Sequence, residues 1–218
     1  MRSGWGIAVV FLAGSAAMPA GEAAAAPVPS TAPVSWELSF EFHDPERVTL
    51  VLPGDTDLTT FWYVLYRVTN DSGQDVQFYP SFTLATDDLE IVEGGADISP
   101  SVYDAIRARH KREYPFFDEP RRISGLLLQG EDNARTSAAV FRMFGPAADG
   151  FAVFAAGLSG EVARVRNPGF DPDQGDSENN PRFFTLRKTL AIDYTLPGDS
   201  VTRSLAKPVR VRRYWVMR

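Results

Sequence analysis

The stretch "FWYVLYRVTNDSGQDVQFYPSFTLAT", Phe61–Thr86, contains two apolar-rich runs that flank the turn-forming residues "NDSG", 70–73. Asn and Gly tolerate positive φ, and the side chains of Asp and Ser hydrogen-bond nearby backbone, so this segment predicts a turn between two strands. Pro80 lies in the second run. Because proline has no backbone N–H, we expect this returning strand to lie at a sheet edge or to bulge there. The whole stretch predicts a β-hairpin.

The first of these runs is apolar on both faces of the predicted strand. Successive side chains of a strand point to opposite faces of the sheet. One face therefore carries Trp62, Val64, Tyr66 and Val68. The other face carries Phe61, Tyr63 and Leu65. Apolar residues on both faces are typical of a strand at the centre of a sheet that is covered on both sides.

Similar β-like runs recur along the rest of the chain. They fall at 36–42, 47–52, 138–141, 151–155, 162–165, 182–194 and 207–217. The segment "SPSVYDAIRARHKREY", 99–114, breaks this pattern, since Val102, Ile106 and His110 follow at helical spacing after Pro100. Proline suits the first turn of a helix. The segment predicts one basic and mostly solvated helix in a connection between strands.

Three segments together resemble small bacterial immunoglobulin-like β-sandwich domains. They are "YRVTNDSGQDVQF" (66–78), "LLQGEDNARTSAAVF" (127–141) and "FAVFAAGL" (151–158), and the resemblance spans 35–165. The chain departs from the family pattern at Gln129, where a proline is usual, and in the added helix. The resemblance implies an all-β fold, an immunoglobulin-like β-sandwich, to which the helical spacing adds one short inserted helix near 100–114. It also implies an extracytoplasmic module that binds or supports, without shared catalytic residues.

The N-terminus, "MRSGWGIAVVFLAGSAAMPAGEAAAA", has the pattern of a secretory signal peptide: a charge at Arg2, an apolar run, and then small residues. The alternative is a membrane anchor, but the apolar run is shorter than the ~20 residues that a spanning helix needs. We expect a signal peptide over 1–25, a linker over 26–33, and a single β-sandwich domain over 34–218.

The chain contains no cysteine. Small secreted domains of eukaryotes usually depend on disulfides, so this composition favours an exported bacterial protein in the periplasm or at the cell surface. We expect the membrane to be involved only through the signal peptide during export.

Charge is distributed unevenly along the chain, whose net charge is −6. Residues 182–218 contain nine basic and two acidic residues, and residues 26–181 carry −13. The basic segment could pair with the acidic body, or it could bind a polyanion. We expect Arg210 and Arg212 to face solvent and to bridge to Glu37 or Glu41 if the first and last strands meet. Val209, Val211 and Trp215 are expected to pack on the core.

Residues that could carry chemistry are few. His43 and His110 are the two histidines, and His43 is more typical of a turn residue than of a catalytic dyad. Without cysteine, two histidines do not make a structural zinc site. The loop "FDPDQGDSE" does not match the EF-hand pattern. A weak calcium site remains an alternative, with ligands Asp171, Asp173, Asp176 and Glu178. We expect no cofactor and no catalytic residues.

The aromatic residues mostly occupy alternating strand positions, which core packing explains. Tyr63 and Tyr79 are the two that we expect to be exposed and to bind a ligand. The leading hypothesis is a non-enzymatic exported binding or structural module, whose partner is another envelope protein or a surface polymer and not nucleic acid. The alternatives are a domain that binds a glycan or small ligand, and a hydrolase that uses acidic residues.

Overall fold

The computed structural model describes residues 26–199 and 202–218, so the signal peptide predicted over 1–25 lies outside the described residues. The strands are β1 Ser39–Phe42, β2 Glu46–Val51, β3 Leu58–Thr69, β4 Val76–Phe78, β5 Ser81–Thr86, β6 Ile91–Glu93, β7 Gly125–Leu127, β8 Arg135–Arg142, β9 Gly150–Ala156, β10 Val162–Arg166, β11 Phe183–Thr195 and β12 Val209–Met217. The helices are α1 Pro100–His110 and α2 Pro120–Ile123.

The strands form two antiparallel sheets and one short pair. In the first sheet, β3 pairs with β8 along one edge and with β1 and β2 along the other. In the second sheet, β11 pairs with β12 along one edge and with β9 and β10 along the other, and β5 and β6 continue beyond β9. Strands β4 and β7 pair separately. The all-β sandwich with one inserted helix is thus confirmed.

Strand β3 is buried on both faces, as its sequence predicts. One face, which includes Trp62 and Tyr66, packs against Phe82, Phe151 and other residues of the second sheet in the main core. The opposite face, which includes Leu65, belongs to a second core with residues of α1. Helix α1 therefore acts as a third layer over the outer face of the first sheet.

The helix is more than a solvated connection. Val102, Tyr103 and Ile106 are buried, so the expectation of a mostly solvated helix holds for its basic side only. Among the described residues, no helix is both long and apolar enough to cross a membrane.

The predicted hairpin around 70–73 is wrong in its pairing, although the turn is present. The buried Asn70 side-chain amide donates to the backbone carbonyls of Gln74 and Leu127, at 2.8 and 2.9 Å, and its Oδ1 accepts from Ser72. After this turn β4 pairs with β7, and β5 crosses to the second sheet. Both edges of β3 are already occupied, so the returning chain has no edge of β3 to join. Pro80 separates β4 from β5.

The last strand also departs from expectation. Because β12 lies at the edge of the second sheet, paired with β11 and not with β1, Val209 and Val211 are exposed, and only Trp215 packs against the main core. Arg210 pairs with Asp44 and Arg212 with Asp193, so the predicted bridges to Glu37 or Glu41 are wrong.

Glu37 instead belongs to a buried ion group around Lys188 of β11. The Lys188 ammonium lies 3.0 Å from Glu37 Oε2 and 3.3 Å from Glu161 Oε2, and it donates to the backbone carbonyl of Ser30. The Ser30 N–H donates to Glu161 Oε1 at 2.8 Å. Burial lowers the pKa of Lys188, but contact with the two glutamates outweighs it, so the net shift is upward. The group holds the segment around Ser30 against the second sheet.

Glu161→Gln is expected to destabilise the protein at neutral pH and to have less effect in acid. The hydrogen bond from the Ser30 N–H, with help from Lys188, lowers the pKa of Glu161 below its ordinary value of 4.5. The stability that the carboxylate contributes is therefore present above pH 4.5 and is lost as pH falls through the folded-state pKa. Urea unfolding of both proteins from pH 7 downward should show the difference shrinking below pH 4.5. A difference that does not change with pH would contradict this account of Glu161.

Candidate functional site

A cleft of ≈730 Å³ opens at one end of the sandwich, and we call it the end cleft. Its walls are residues 42–47, where β1 passes into β2, and the segment before β12, with Leu205, residues 207–208 and Arg210. Trp62 of β3 also lines it. Ligand sites in proteins commonly have volumes of about 300–1,000 Å³, so the end cleft has room for a small molecule.

Arg47 is the central cation of this cleft. Its guanidinium lies over the Trp62 ring, 4.6 Å from the ring centroid, and its Nη2 donates to the carbonyl of Ala206 at 2.7 Å. Its Nη1 is buried without a hydrogen-bond partner. Burial lowers the pKa of Arg47, yet arginine remains charged in proteins. The guanidinium is thus fixed in place with donor capacity unused.

A contact between Phe42 and Arg210 of β12 joins the two walls of the cleft. The Arg210 guanidinium lies 4.8 Å from the Phe42 ring centroid, and it donates to Asp44 Oδ1 at 2.7 Å. This hydrogen bond raises the pKa of Arg210. Tyr194 OH donates to the same carboxylate oxygen at 3.2 Å. Asp44 therefore neutralises Arg210 and ties the end of β1 to the second sheet.

The remaining charges leave the end cleft positive. Glu46 lies 3.8 Å from Arg109 Nη1 and accepts a hydrogen bond from Tyr63 OH, so this acid too has a partner. Within residues 26–199 and 202–218, no carboxylate forms an ion pair with Arg47 or Lys207, and Lys207 is exposed. Two cations beside an aromatic surface favour a ligand that carries a carboxylate or a phosphate.

Behind Glu46, the fold brings the two histidines together. Tyr63 OH is hydrogen-bonded to His110 Nε2 at 2.9 Å, and His43 Nε2 to Tyr114 OH at 2.7 Å. The two imidazole centroids are 6.4 Å apart. His43 comes from the β1–β2 connection and His110 from the end of α1, so packing of the helix on the first sheet creates this cluster.

The groups of this cluster are suited to holding Glu46 in position and not to acting as nucleophiles. Burial, followed by the hydrogen bond to Glu46, raises the pKa of Tyr63 to about 12. Burial likewise lowers the pKa of His110. At neutral pH a protonated phenol therefore donates to Glu46, with a neutral imidazole beside it. A raised phenol pKa is opposite to the activation that a nucleophile needs.

The predicted ligand-binding tyrosines do not form a platform. Tyr63 is only 1% exposed, because it lies under the C-terminal end of α1, so the expectation that it is exposed is wrong. Tyr79 is 64% exposed, and its hydroxyl donates to Gln77.

The acidic loop is organised by hydrogen bonds of its own. Asp171 accepts from the Asp173 N–H and from Gln174 Nε2, and Asp176 accepts from the Arg182 N–H. In the described part of the chain, no three His, Asp or Glu residues come together as a metal-binding group. The arrangement therefore lends no support to the calcium site predicted at Asp171, Asp173, Asp176 and Glu178.

Comparison of the chain with protein-family models, with curated proteins and with solved structures finds no match.

Sequence reasoning missed the residues that make the end cleft. Arg47 and Lys207 are more than 150 positions apart in the chain, and nothing around either of them forms a motif. The excess of basic residues after 182 was the available signal, and Lys207 and Arg210 belong to it. The partner of that segment, residues 42–47, followed only from the tertiary fold.

Proposed function

We propose that the chain is a non-enzymatic binding module of the bacterial periplasm or cell envelope, and that it binds a small anionic ligand in the end cleft. The ligand is recognised through a carboxylate or phosphate group. The N-terminal signal pattern and the lack of cysteine support export.

The observation that carries the proposal is the environment of Arg47. Trp62 and the Ala206 carbonyl fix its guanidinium at the cleft, while Nη1 has no partner. A buried donor without a hydrogen bond costs about 1–3 kcal/mol. An anion that approaches Arg47 with a small shift of the guanidinium would supply the missing acceptor, and Lys207 would add a second charge from the opposite wall.

The chemistry of the neighbouring groups supports binding over catalysis. The acids of the cleft, Asp44 and Glu46, are each held by a cation and a tyrosine hydroxyl. A hydrolase that uses two carboxylates needs both of them to flank the bond that is broken. Asp44 and Glu46 are instead already engaged with partners from the protein.

Arg47→Met is expected to weaken anion binding by about tenfold or more, which corresponds to ~1.4 kcal/mol. Methionine keeps an unbranched apolar chain over Trp62 and removes the charge. Isothermal titration calorimetry with inorganic phosphate, citrate and uncharged glycerol measures the effect. We expect heat from at least one of the two anions and none from glycerol, and Arg47→Lys should bind with intermediate affinity because it keeps the charge but not the forked geometry.

Arg166→Met is the matched control, since Arg166 is an exposed arginine of β10 outside the cleft. It removes the same charge and should leave binding unchanged. If Arg166→Met and Arg47→Met weaken binding equally, the protein attracts anions through its overall charge and the proposed site is wrong. If neither phosphate nor citrate binds the wild-type protein, the proposal that these anions are its ligand class fails.

A further inference from the structure

A second cavity, of ≈350 Å³, lies where α1 begins, and we call it the helix cavity. It shares no lining residue with the end cleft. Its walls come from the turn after β6, the first residue of α1 and the segment around α2, with Gly94, Gly95, Ile98, Pro100, Glu119, Pro120, Arg121 and Ser124. Its volume falls within the range of about 300–1,000 Å³ that is common for ligand sites.

Tyr103 of α1 brings a hydroxyl without a partner to this cavity. The residue is 6% exposed, and its ring packs in the second core, which fixes its position. The hydroxyl lies close to Gly95 on the cavity wall, since a Cβ at that glycine would be 3.5 Å from it. No group of residues 26–199 and 202–218 is hydrogen-bonded to this hydroxyl. Because buried polar groups normally have a hydrogen-bond partner, the hydroxyl is free to bind a ligand.

The phenol of Tyr103 is a hydrogen-bond donor at neutral pH. Burial, followed by the negative charge of Glu119, raises its pKa to about 12, while the positive charge of Arg121 acts to lower it. The phenol therefore keeps its proton. The same two effects place an anion and a cation near the hydroxyl, one on each side of Pro120 in the chain.

Glu119 and Arg121 bring opposite charges to the cavity without neutralising each other. In the described part of the chain, Arg121 forms neither an ion pair nor a hydrogen bond through its guanidinium. Glu119 Oε1 lies 3.8 Å from Arg107 Nη2, and the carboxylate accepts no hydrogen bond from any described residue. The start of α1 at Pro100 adds a partial positive charge, which favours a negative group beside it.

We propose that the helix cavity binds a free α-amino acid with an apolar side chain. The carboxylate of the ligand accepts from the Tyr103 hydroxyl and pairs with Arg121, and its ammonium pairs with Glu119. The apolar side chain packs on the apolar part of the wall, which is Ile98, Pro100 and Pro120. A zwitterion suits this site because a ligand with a single charge leaves one of the two charged side chains unpaired. The site is additional to the end cleft and does not depend on the function proposed for it.

Isothermal titration calorimetry with L-leucine, leucinamide and N-acetyl-leucine tests the proposal. Leucinamide lacks the carboxylate and N-acetyl-leucine lacks the ammonium, so we expect each to bind at least about tenfold more weakly than leucine. These two compounds also stand for the two ends of a peptide, which carry one charge each. If either of them binds as tightly as leucine, the ligand is not a free amino acid and the proposal is overturned.

Tyr103→Phe should weaken leucine binding by about fivefold or more and leave the melting temperature close to that of wild type, because the ring stays in the second core. Arg121→Met should weaken it by at least about tenfold. Arg122→Met is the matched control, since Arg122 is the next residue of α2, is exposed and does not line the cavity. It removes the same charge and should leave leucine binding unchanged.

Three results would overturn the proposal: a wild-type protein that does not bind leucine, a Tyr103→Phe protein that binds it like wild type, and equal losses in Arg121→Met and Arg122→Met. Arg47→Met should bind leucine normally, and Tyr103→Phe should bind phosphate and citrate like wild type. Failure of the helix cavity is thereby distinguished from failure of the end cleft. If Arg47→Met loses leucine binding, leucine binds in the end cleft and the helix cavity is not its site.

Discussion

Leu65→Ala is expected to lower the free energy of unfolding by about 2–5 kcal/mol, the range that applies to leucines truncated in protein cores. Leu65 lies on the outer face of β3, in the second core that α1 covers. In a two-layer sandwich without this helix, the same face would contact water and the substitution would cost little. Urea unfolding monitored by circular dichroism measures the effect.

Val211→Ala is the contrasting substitution. The alternation in β12 predicted a core position for Val211, but the residue is 59% exposed, so its truncation should change stability by less than about 0.5 kcal/mol. If Val211→Ala costs as much as Leu65→Ala, then β12 is packed differently from the arrangement described above.

Lys188→Met is expected to be about as damaging as Leu65→Ala. Removing one partner of a buried ion pair typically costs about 3–5 kcal/mol, since the other charge remains buried without compensation. Here Lys188 is 1% exposed, and the loss of its ammonium leaves Glu37, Glu161 and the Ser30 carbonyl without their shared cation. Thermal unfolding at neutral pH should show a clear fall in the midpoint.

Two further substitutions separate charge from packing at this position. When Glu37→Gln and Glu161→Gln are added to Lys188→Met, the uncompensated charges are gone, and part of the lost stability should return. A Lys188→Met protein that melts with the wild type would mean that the ion group is open to solvent and does not hold the segment around Ser30. A triple variant that is less stable than Lys188→Met would also contradict the account.

The sequence was sufficient for most of the strands, for helix α1 and for the two-sided burial of β3, because these depend on local alternation and helical spacing, but it missed the short strands β6 and β7. It failed where the outcome depends on which edges are free. The turn at 70–73 is correctly placed, yet β1, β2 and β8 occupy both edges of β3, and so the chain crosses to the other sheet. Local sequence does not report such competition for edges.

The candidate site was less accessible to sequence reasoning for a related reason. Tyr63 and Leu65 were correctly placed on one covered face of β3, but the sequence did not show that the end of α1 covers Tyr63 and brings His110 to its hydroxyl. Arg47 and Lys207 are brought to one cleft by the approach of the β1–β2 connection to the segment before β12. The net charges of long segments do not show which distant residues the fold brings together.

The central claim is that an anion binds between Arg47 and Lys207. A two-dimensional ¹H–¹⁵N NMR titration of the full chain with phosphate and with citrate tests it most directly. The Trp62 indole N–H is a built-in probe, because Arg47 lies over this ring. The account predicts saturable shifts of the Trp62 indole and of the backbone amides of 43–44, 46–47 and 205–207, with the same residues silent in Arg47→Met. Shifts centred on the arginines of β10 and the first part of β11, with the Trp62 indole unmoved, would contradict it.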